Sequence, residues 1–141
     1  AVIHTIAMHH SATPVNRWLT RYIFPGGYLP SIQQLISVTE GRGLKLLDVE
    51  LMRGHYAETL RHWRLRFEKR REIMAEKYDE RFVRMWEFYL LGCEYFFRCQ
   101  HGMVVQLQLS DDQQSVPKSR AYVNDLESRF KNRLLRSPSV F

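Results

Sequence analysis

The sequence lacks the features that mark secreted and membrane-spanning proteins. Its only cysteines are Cys93 and Cys99, with no CxxC pair, a usage typical of reduced thiols in a cytosolic protein. No apolar run approaches the roughly 20 residues needed to cross a bilayer, and the first residues do not have the layout of a signal peptide. If a membrane is involved, we therefore expect the protein to lie on its surface.

Phosphate-binding loops and metal-ligand clusters are also missing. There is no G-x-G-x-x-G or P-loop sequence, so nothing in this chain cradles a nucleotide phosphate. The histidines His4, His9 and His10 are close in sequence, but no matching cluster completes a set of ligands, and we expect no metal. Cys93 lies among aromatic residues without a partner base, which favours a small buried side chain over a nucleophile.

Positive charge and apolar residues are what the sequence has in excess. Lys and Arg number 21 against 15 Asp and Glu, so the 141 residues carry a formal net charge of +6. This charge favours an anionic partner, phospholipid or nucleic acid, and does not choose between them. With 45% hydrophobic residues, the composition predicts one globular domain with a real core. Because the chain begins at Ala1 and not at Met, we expect it to be a piece of a longer protein.

Three segments have the pattern of β-strands. Residues 1–8 are β-branched and almost entirely apolar, which predicts a strand buried on both faces of a parallel sheet. Residues 44–52 alternate, with Leu47, Val49 and Leu51 on one side and acidic residues on the other. Residues 103–109 alternate again. Since three strands make a thin sheet, we expect about half of an α/β domain to be absent.

Helical patterns occupy much of the remaining sequence. A short helix is predicted within residues 15–24, before a Pro-Gly-Gly turn. Ser31 and Gln34 then form a capping box that begins a second helix, which is predicted to end at Gly41 or Gly43. Two long helices follow, each with one apolar stripe. The stripe of the first is Tyr56, Leu60, Trp63 and Phe67, and that of the second, which begins near Tyr78 and stops at Gly102, is Phe82, Met85, Trp86, Tyr89, Cys93, Phe96 and Phe97.

The composition changes after Ser110. We therefore divide the chain into a domain over residues 1–110 and a tail over residues 111–141, which contains a polar linker and a short basic amphipathic segment. This segment either lies on anionic lipid or is a solvated tail. Its apolar positions are Tyr122, Leu126, Phe130 and Leu134, beside Arg129, Lys131, Arg133 and Arg136.

Two polar side chains interrupt apolar surroundings. His4 lies within the first strand, where a buried imidazole needs hydrogen-bond partners; it is either a core histidine satisfied by backbone or a residue that faces a ligand crevice. Tyr56 begins a helix directly after Gly54 and His55, and its hydroxyl is expected to find a polar partner, although a tyrosine packed at the surface gives the same pattern.

Several stretches of the sequence together resemble one enzyme family. HTI, TRYIFPGGYLPS, HYAETLRHWRLRFE, YDERFVRMWEFYLLGCEYFFR and VVQLQLS occur in the order of the C-terminal half of the cyclopropane-fatty-acyl-phospholipid synthases and the related mycolic acid cyclopropane synthases. The resemblance covers roughly residues 3–110. It implies an α/β fold, the C-terminal half of a class I S-adenosylmethionine-dependent methyltransferase with a Rossmann-like sheet and an inserted pair of long helices. The cofactor-binding first half is absent from this sequence.

The resemblance implies transfer of a methylene across the cis double bond of a phospholipid acyl chain. The cofactor is S-adenosylmethionine, with its site in the missing half, so we expect this chain to be inactive alone. Methyl transfer to an alkene leaves a carbocation, and ring closure then requires a base inside an apolar pocket. In this family the base is a bound bicarbonate, and the positions that match its ligands are His4, Ile6 (through its backbone amide) and Tyr56. An anion in a dry site needs donors aimed at it.

The resemblance also implies an acyl-binding tunnel. Its lining positions fall on Phe24, Leu29, Leu60, Tyr89, Cys93 and Phe97. Within that set, Tyr89, Cys93 and Phe97 recur every four residues and share one face of a helix. Plain core packing explains the same stripe.

The implied partners are phospholipid acyl chains, an anionic membrane surface and the N-terminal half of the same enzyme, with a homodimer as a further alternative. The implied location is cytoplasmic and peripheral to the inner membrane. No nucleic acid is expected, because no docking motif occurs. Two alternatives stay open: a relative that forms methyl-branched acyl chains, since the first step is shared, and a non-catalytic basic remnant that binds lipid or nucleic acid.

Overall fold

A three-stranded sheet with helices on both faces organises the chain. The structure is a computed structural model, and it describes residues 1–99 and 102–135. In chain order the elements are β1 (Val2–Met8), β2 (Thr13–Pro14), α1 (Arg17–Tyr22), β3 (Tyr28–Leu29), α2 (Ile32–Ser37), β4 (Lys45–Met52), α3 (His55–Glu68), α4 (Arg71–Lys77), α5 (Glu80–Cys99), β5 (Gly102–Ser110) and α6 (Ala121–Leu135). The sheet order is β1-β5-β4, and β2 pairs separately with β3.

Strand β1 differs from its prediction in both pairing and burial. It runs antiparallel to β5, with Val2 opposite Gln108 and Met8 opposite Gly102. Val2 is 66% exposed and Ile3 37% exposed, because β1 lies at the edge of the described sheet while β5 occupies its centre. The prediction that β1 is buried on both faces is therefore wrong for this structure, and the deeply buried strand is β5.

The backbone N–H groups of β1 alternate between β5 and the outer edge of the sheet. Ala1 and Leu109 exchange two backbone hydrogen bonds, with N···O distances of 2.6 and 2.8 Å. Since bonded and non-bonded pairs alternate in an antiparallel ladder, the N–H groups of His4 and Ile6 point away from β5. The Met8 N–H, which points the same way, donates to a loop carbonyl at 2.9 Å. The outer edge of β1 thus presents both N–H donors and C=O acceptors.

The two faces of the sheet have separate cores. One face packs against α2, and the other packs against α3 and α5. The first core comprises Ala7, Met103, Val105 and Leu107, with Ile32, Leu35, Leu46 and Val49 around it. The second comprises Ala57, Leu60, Tyr89, Leu90, Phe97 and Val104, with Ile6, Met52 and Tyr56 among the side chains packed on it.

Strand β4 has the predicted alternation, apart from a bulge. Its register with β5 shifts between Leu46 and Asp48, so Leu47 is the extra residue. As a result Leu46 joins Val49 in the core beneath α2, where the sequence predicted Leu47. The acidic side chains of Asp48 and Glu50 lie on the opposite face, as predicted.

The helices follow the predicted segments with small differences. The capping box is confirmed: the Ser31 hydroxyl accepts from the Gln34 N–H at 3.2 Å, and the Gln34 side chain accepts from the Ser31 N–H. Helix α2 ends at Ser37, so Gly41 and Gly43 lie in the turns that follow it. The two predicted long helices are α3 and α5, with the short α4 between them.

Helix α5 buries a carboxylate where the sequence predicted only an apolar stripe. Glu94 has a side chain that is 9% exposed, and it accepts from Arg64 Nε at 3.1 Å and Arg98 Nε at 3.2 Å. Arg64 also pairs with Glu68, and Arg98 with Glu58. These ion pairs join α3 to α5 beside the second core.

The amphipathic tail segment forms α6, which is tied to the polar end of the sheet. Arg120 donates to Asp48 at 2.9 Å and lies 3.5 Å from Glu50, and the Tyr122 hydroxyl donates to Gln108 at 3.0 Å. The predicted positions Leu134, as a side chain, and Arg136 lie outside the described residues. The division of the chain at residue 110 stays a prediction.

Within residues 1–99 and 102–135, no helix is long and apolar enough to cross a bilayer.

Candidate functional site

An apolar cavity of about 670 Å³ lies between α5 and the segment that runs from β1 to β3. Its volume is in the range of small-molecule sites. None of the described residues that line it is charged; its lining side chains are apolar or aromatic, apart from a few such as Thr13 and Asn16. It brings together most of the predicted site residues, namely Ile6, Phe24, Leu29, Tyr89, Cys93 and Phe97.

Tyr56 and Leu60 lie behind the cavity wall. Leu60 is fully buried in the core beneath α3 and α5, together with Tyr89 and Phe97. The Tyr56 ring meets the Phe97 ring edge to face, with centroids 4.9 Å apart. These two residues therefore support the lining side chains and do not themselves line the cavity.

The Pro-Gly-Gly turn positions Phe24 across the cavity from α5. Gly26 has φ +73°, and the Gly27 N–H donates to the Phe24 carbonyl at 3.0 Å. A Cβ on Gly27 would lie 2.9 Å from the Val15 side chain, so the turn closes tightly on the cavity wall. The Phe24 ring then packs edge to face on Tyr89, with centroids 5.8 Å apart.

His4 lies outside the cavity and is exposed on β1. The expectation that it interrupts a buried strand is wrong, because β1 is an edge strand. Its Nδ1 is 3.0 Å from the Gln106 Nε2. Since an amide nitrogen donates, Nδ1 accepts and the ring proton of the neutral imidazole is on Nε2. His4 therefore keeps one donor nitrogen for another group.

The three predicted anion ligands are only partly brought together. Ile6 packs against the same core as Tyr56, and its backbone N–H points to the outer edge of β1. His4 lies on the same face of the strand as Ile6, two residues earlier, where its side chain meets Gln106. Their shared role stays a prediction.

The titratable groups near the cavity remain protonated at neutral pH. Burial raises the pKa of Cys93 to about 11. Burial, and next the Cys93 thiol and Tyr56, raise the pKa of Tyr89 to about 12. Burial and the Cys93 thiol also raise the pKa of Tyr56. The cavity thus stays uncharged, which suits an alkyl chain, and each hydroxyl remains a hydrogen-bond donor.

Sequence reasoning missed several lining residues. Trp18, Phe88 and Tyr95 line the cavity as well, and the pairing of β2 with β3 forms part of its wall. Trp18 and Tyr22 are four residues apart in the sequence of the predicted first helix, and this helical spacing was the available signal for Trp18. A Cβ on Gly102 would lie 1.9 Å from the ring of Phe96, another lining residue, so this glycine lets the ring pack against β5.

Comparison with known proteins gives one consistent result. A family model described as mycolic acid cyclopropane synthetase matches residues 1–109. The tuberculostearic acid methyltransferase UfaA1 of Mycobacterium tuberculosis is 46% identical over 113 residues, which is 76% of this chain and 26% of that protein. The cyclopropane-fatty-acyl-phospholipid synthase of Escherichia coli K12 is 33% identical over 109 residues, 77% of this chain and 28% of that protein.

Solved structures give the same answer for the fold. The mycolic acid cyclopropane synthase CmaA1, complexed with SAH and CTAB, matches with a TM-score of 0.68 and 26% identity over 77% of this chain and 42% of that chain. The cyclopropane synthase MmaA2 of Mycobacterium tuberculosis matches with a TM-score of 0.65 and 27% identity. The predicted α/β fold is confirmed. The chain spans about a quarter of the curated relatives and less than half of these solved chains.

Proposed function

This chain belongs to the mycolic acid cyclopropane synthetase family, and we propose that it forms the acyl-binding part of an S-adenosylmethionine-dependent methyltransferase that acts on the cis double bond of a phospholipid acyl chain. The uncharged apolar cavity is the observation that carries the proposal. An alkyl chain needs such a lining and no ionic partner. The relatives are themselves named for the modification of fatty acids, phospholipids or mycolic acids.

The cofactor does not fit the cavity of this chain. S-adenosylmethionine has an amino-acid group, a ribose and an adenine, which need charged or polar partners. None of the described lining residues is charged, and no glycine-rich loop occurs in the sequence. We therefore assign the cofactor site to the N-terminal half of the enzyme, and we place that half beside the outer edge of β1, whose donors have no partner strand in the described part of the chain.

The residues of this chain have two tasks in the proposed reaction. Phe24, Tyr89 and Phe97 hold the alkene and exclude water, and their ring faces stabilise a passing carbocation. Tyr56, the Ile6 amide and His4 are the donors to an anion that we place beside the cavity, near the outer edge of β1. The anion that we propose is bicarbonate, which supplies a base for the proton that leaves on ring closure. The protonated state of Tyr56 supports this role.

A second candidate function is formation of a methyl-branched acyl chain. The relative with 46% identity is named a methyltransferase of tuberculostearic acid, with no ring in the name. Both reactions begin with the same methyl transfer, and they differ in the fate of the cation. Loss of a proton from the added methyl group closes the ring, whereas a saturated branch requires a hydride from a separate reductant, such as a reduced nicotinamide.

The test of the proposed function uses the complete enzyme with methyl-labelled S-adenosylmethionine and vesicles of cis-unsaturated phospholipid. We expect labelled lipid. With a reduced nicotinamide added as hydride donor, mass spectrometry distinguishes a gain of CH₂, as in a ring, from a gain of CH₂ and two hydrogens, as in a saturated branch. Absence of labelled lipid contradicts the proposal and favours a non-catalytic lipid-binding protein.

The anion site is tested in the same assay by Tyr56→Phe and His4→Ala. We expect each to lower turnover by about 10²-fold with little change in lipid binding, because a donor to the base is lost. Tyr122→Phe on α6 removes a hydroxyl that donates to Gln108, away from the cavity, and serves as the matched control. Unchanged turnover in both variants would show that bicarbonate is not held here.

A further inference from the structure

Helix α5 has a third, largely exposed face, which borders the cavity and is distinct from the side that packs on α3. Phe88, Leu91 and Tyr95 follow one another at helical spacing on this face and are 60, 55 and 57% exposed. Arg81 and Arg84 continue the same face toward the helix start, and both are exposed. The face therefore pairs a basic end with an apolar end.

Helix α1 extends this face. The Trp18 ring meets the Phe88 ring edge to face, with centroids 4.7 Å apart, and the Tyr22 ring is 5.5 Å from Trp18. Arg17 and Arg21 are exposed beside them, with the Arg21 guanidinium 5.4 Å from the Tyr22 ring centre. We call these side chains of α1, of which Trp18 is partly buried, together with those of the third face of α5, the rim surface.

The rim surface is continuous with the cavity. Trp18 and Phe88 line the cavity and also line an outer groove that includes Arg81 and Arg84. Tyr95 lines the cavity from the same helix face. An alkyl chain that enters the cavity between α1 and α5 thus passes over the rim surface.

The acidic groups next to the rim surface are already engaged. Asp79 caps α5 by accepting from the Phe82 N–H at 2.6 Å. Glu80 is bound by Arg71 and is 3.9 Å from Arg84. The arginines of the rim surface therefore outweigh the carboxylates, and the local charge is positive.

We propose that the rim surface docks on an anionic phospholipid bilayer, with the cavity mouth facing the acyl layer. This inference rests on the proposed function, which makes the acyl chain of a phospholipid the substrate. Tryptophan and tyrosine suit the bilayer interface, exposed Phe and Leu enter the boundary of the acyl layer, and arginines pair with anionic headgroups. The alternative membrane element of this chain is α6, which also has exposed apolar and basic side chains.

The test measures sedimentation of the full 141-residue chain with vesicles of phosphatidylglycerol and phosphatidylethanolamine, against vesicles of phosphatidylcholine alone. We expect preferential binding to the anionic vesicles that weakens with salt. Arg81→Gln with Arg84→Gln is expected to weaken binding by roughly 30-fold, since each arginine near an anionic surface contributes about fivefold. Leu91→Gln with Tyr95→Gln is expected to weaken binding by about tenfold.

The matched controls are on α6. Leu126→Gln with Phe130→Gln, and Arg129→Gln with Arg133→Gln, remove the same numbers of apolar and basic side chains there, and we expect binding to stay within about twofold of the unmodified chain, since surface substitutions away from the contact change little. If the α6 pairs abolish binding and the rim pairs do not, the tail is the membrane element and the proposal is wrong. It is also wrong if the unmodified chain fails to bind anionic vesicles.

Tryptophan fluorescence gives a second measurement that does not depend on polar variants. Phosphatidylglycerol with brominated acyl chains is expected to quench the chain, and Trp18→Phe is expected to remove most of that quenching. The measurement is made in a Trp86→Phe chain, because Trp86 is a third tryptophan, on α5; Trp63, which lies on α3 away from the rim surface, then provides the unquenched reference. Quenching that survives Trp18→Phe would place the bilayer on another face.

The two proposals fail in distinguishable ways. Vesicle binding needs neither cofactor nor reaction. If binding depends on the rim surface but the complete enzyme yields no labelled lipid, the proposed function alone is overturned. Labelled lipid together with vesicle binding that is indifferent to the rim substitutions overturns the docking surface alone.

Discussion

At the scale of single residues, the two cysteines of α5 differ in their surroundings. Burial among the aromatic side chains of the cavity raises the pKa of Cys93 to about 11, whereas Cys99 is exposed at the helix end. Because the thiolate is the nucleophile, we expect iodoacetamide at pH 8 to modify Cys99 at least about tenfold faster than Cys93. Mass spectrometry of peptides taken over time measures both rates.

The pH dependence of the slow thiol follows from the direction of its pKa. Since the pKa of Cys93 is raised, its thiolate fraction and its alkylation rate keep rising with pH until about 11. A Cys99→Ser chain isolates this slow reaction. Equal alkylation rates of Cys93 and Cys99 at pH 8 would contradict the burial of Cys93.

Two glycines beside the cavity are expected to respond oppositely to alanine. A methyl on Gly102 would meet the Phe96 ring at 1.9 Å, so Gly102→Ala is expected to lower the free energy of unfolding by about 1–3 kcal/mol. A Cβ added to Gly92 would have nothing within 4 Å, and Gly92 lies inside α5. Gly92→Ala is therefore expected to raise the free energy of unfolding by up to about 1 kcal/mol. Urea unfolding measures both, and equal shifts would show that Phe96 does not pack on Gly102.

At the scale of elements, the ion pairs of Glu94 link α3 to α5 and are expected to stabilise their packing. Glu94→Gln removes the charge between Arg64 and Arg98, and we expect a loss of about 1–3 kcal/mol because the carboxylate is buried and hydrogen-bonded. Glu76→Gln, on exposed α4, is the matched control, with an expected change below about 0.5 kcal/mol. A similar unfolding midpoint for both variants would refute a stabilising role for Glu94.

The elements themselves were largely predictable from residue period, and their contacts were not. The alternation of residues 44–52 and the capping box at Ser31 are local patterns, so they appear directly in the sequence. Glu94 pairs with Arg64, 30 residues away, and a stripe of apolar residues gives no sign of such a pair. The two-residue strands β2 and β3 are too short to show any period.

At the scale of the whole molecule, the open edge of β1 has a measurable signature. The amides of Val2, His4 and Ile6 point outward, while those of Ile3 and Thr5 bond to β5. We therefore expect fast hydrogen exchange at the first three and slow exchange at the other two, measured by NMR. Addition of the cofactor-binding half is expected to protect the outward amides, and continued fast exchange would rule out pairing at this edge.

The order of the strands in the sheet could not be predicted from the periodicity of apolar residues alone. Placing β5 between β1 and β4 requires contacts such as Val2 with Gln108, which lie at opposite ends of the domain. An apolar pattern shows that a strand is suited to burial, but it does not show which strands lie beside it. For this reason the prediction that β1 is buried on both faces was wrong. The cavity, in contrast, unites residues that the family resemblance named, including Phe24 and Cys93.

The thin wall of the cavity has a thermodynamic consequence. Helix α1 has no fully buried residue, and the paired strands β2 and β3 have two residues each, so the wall facing α5 has little core of its own. An acyl chain that enters completes this packing with its own methylene groups. Its binding will therefore resemble a folding reaction in calorimetry, with a negative heat-capacity change that grows with each methylene that the cavity takes up.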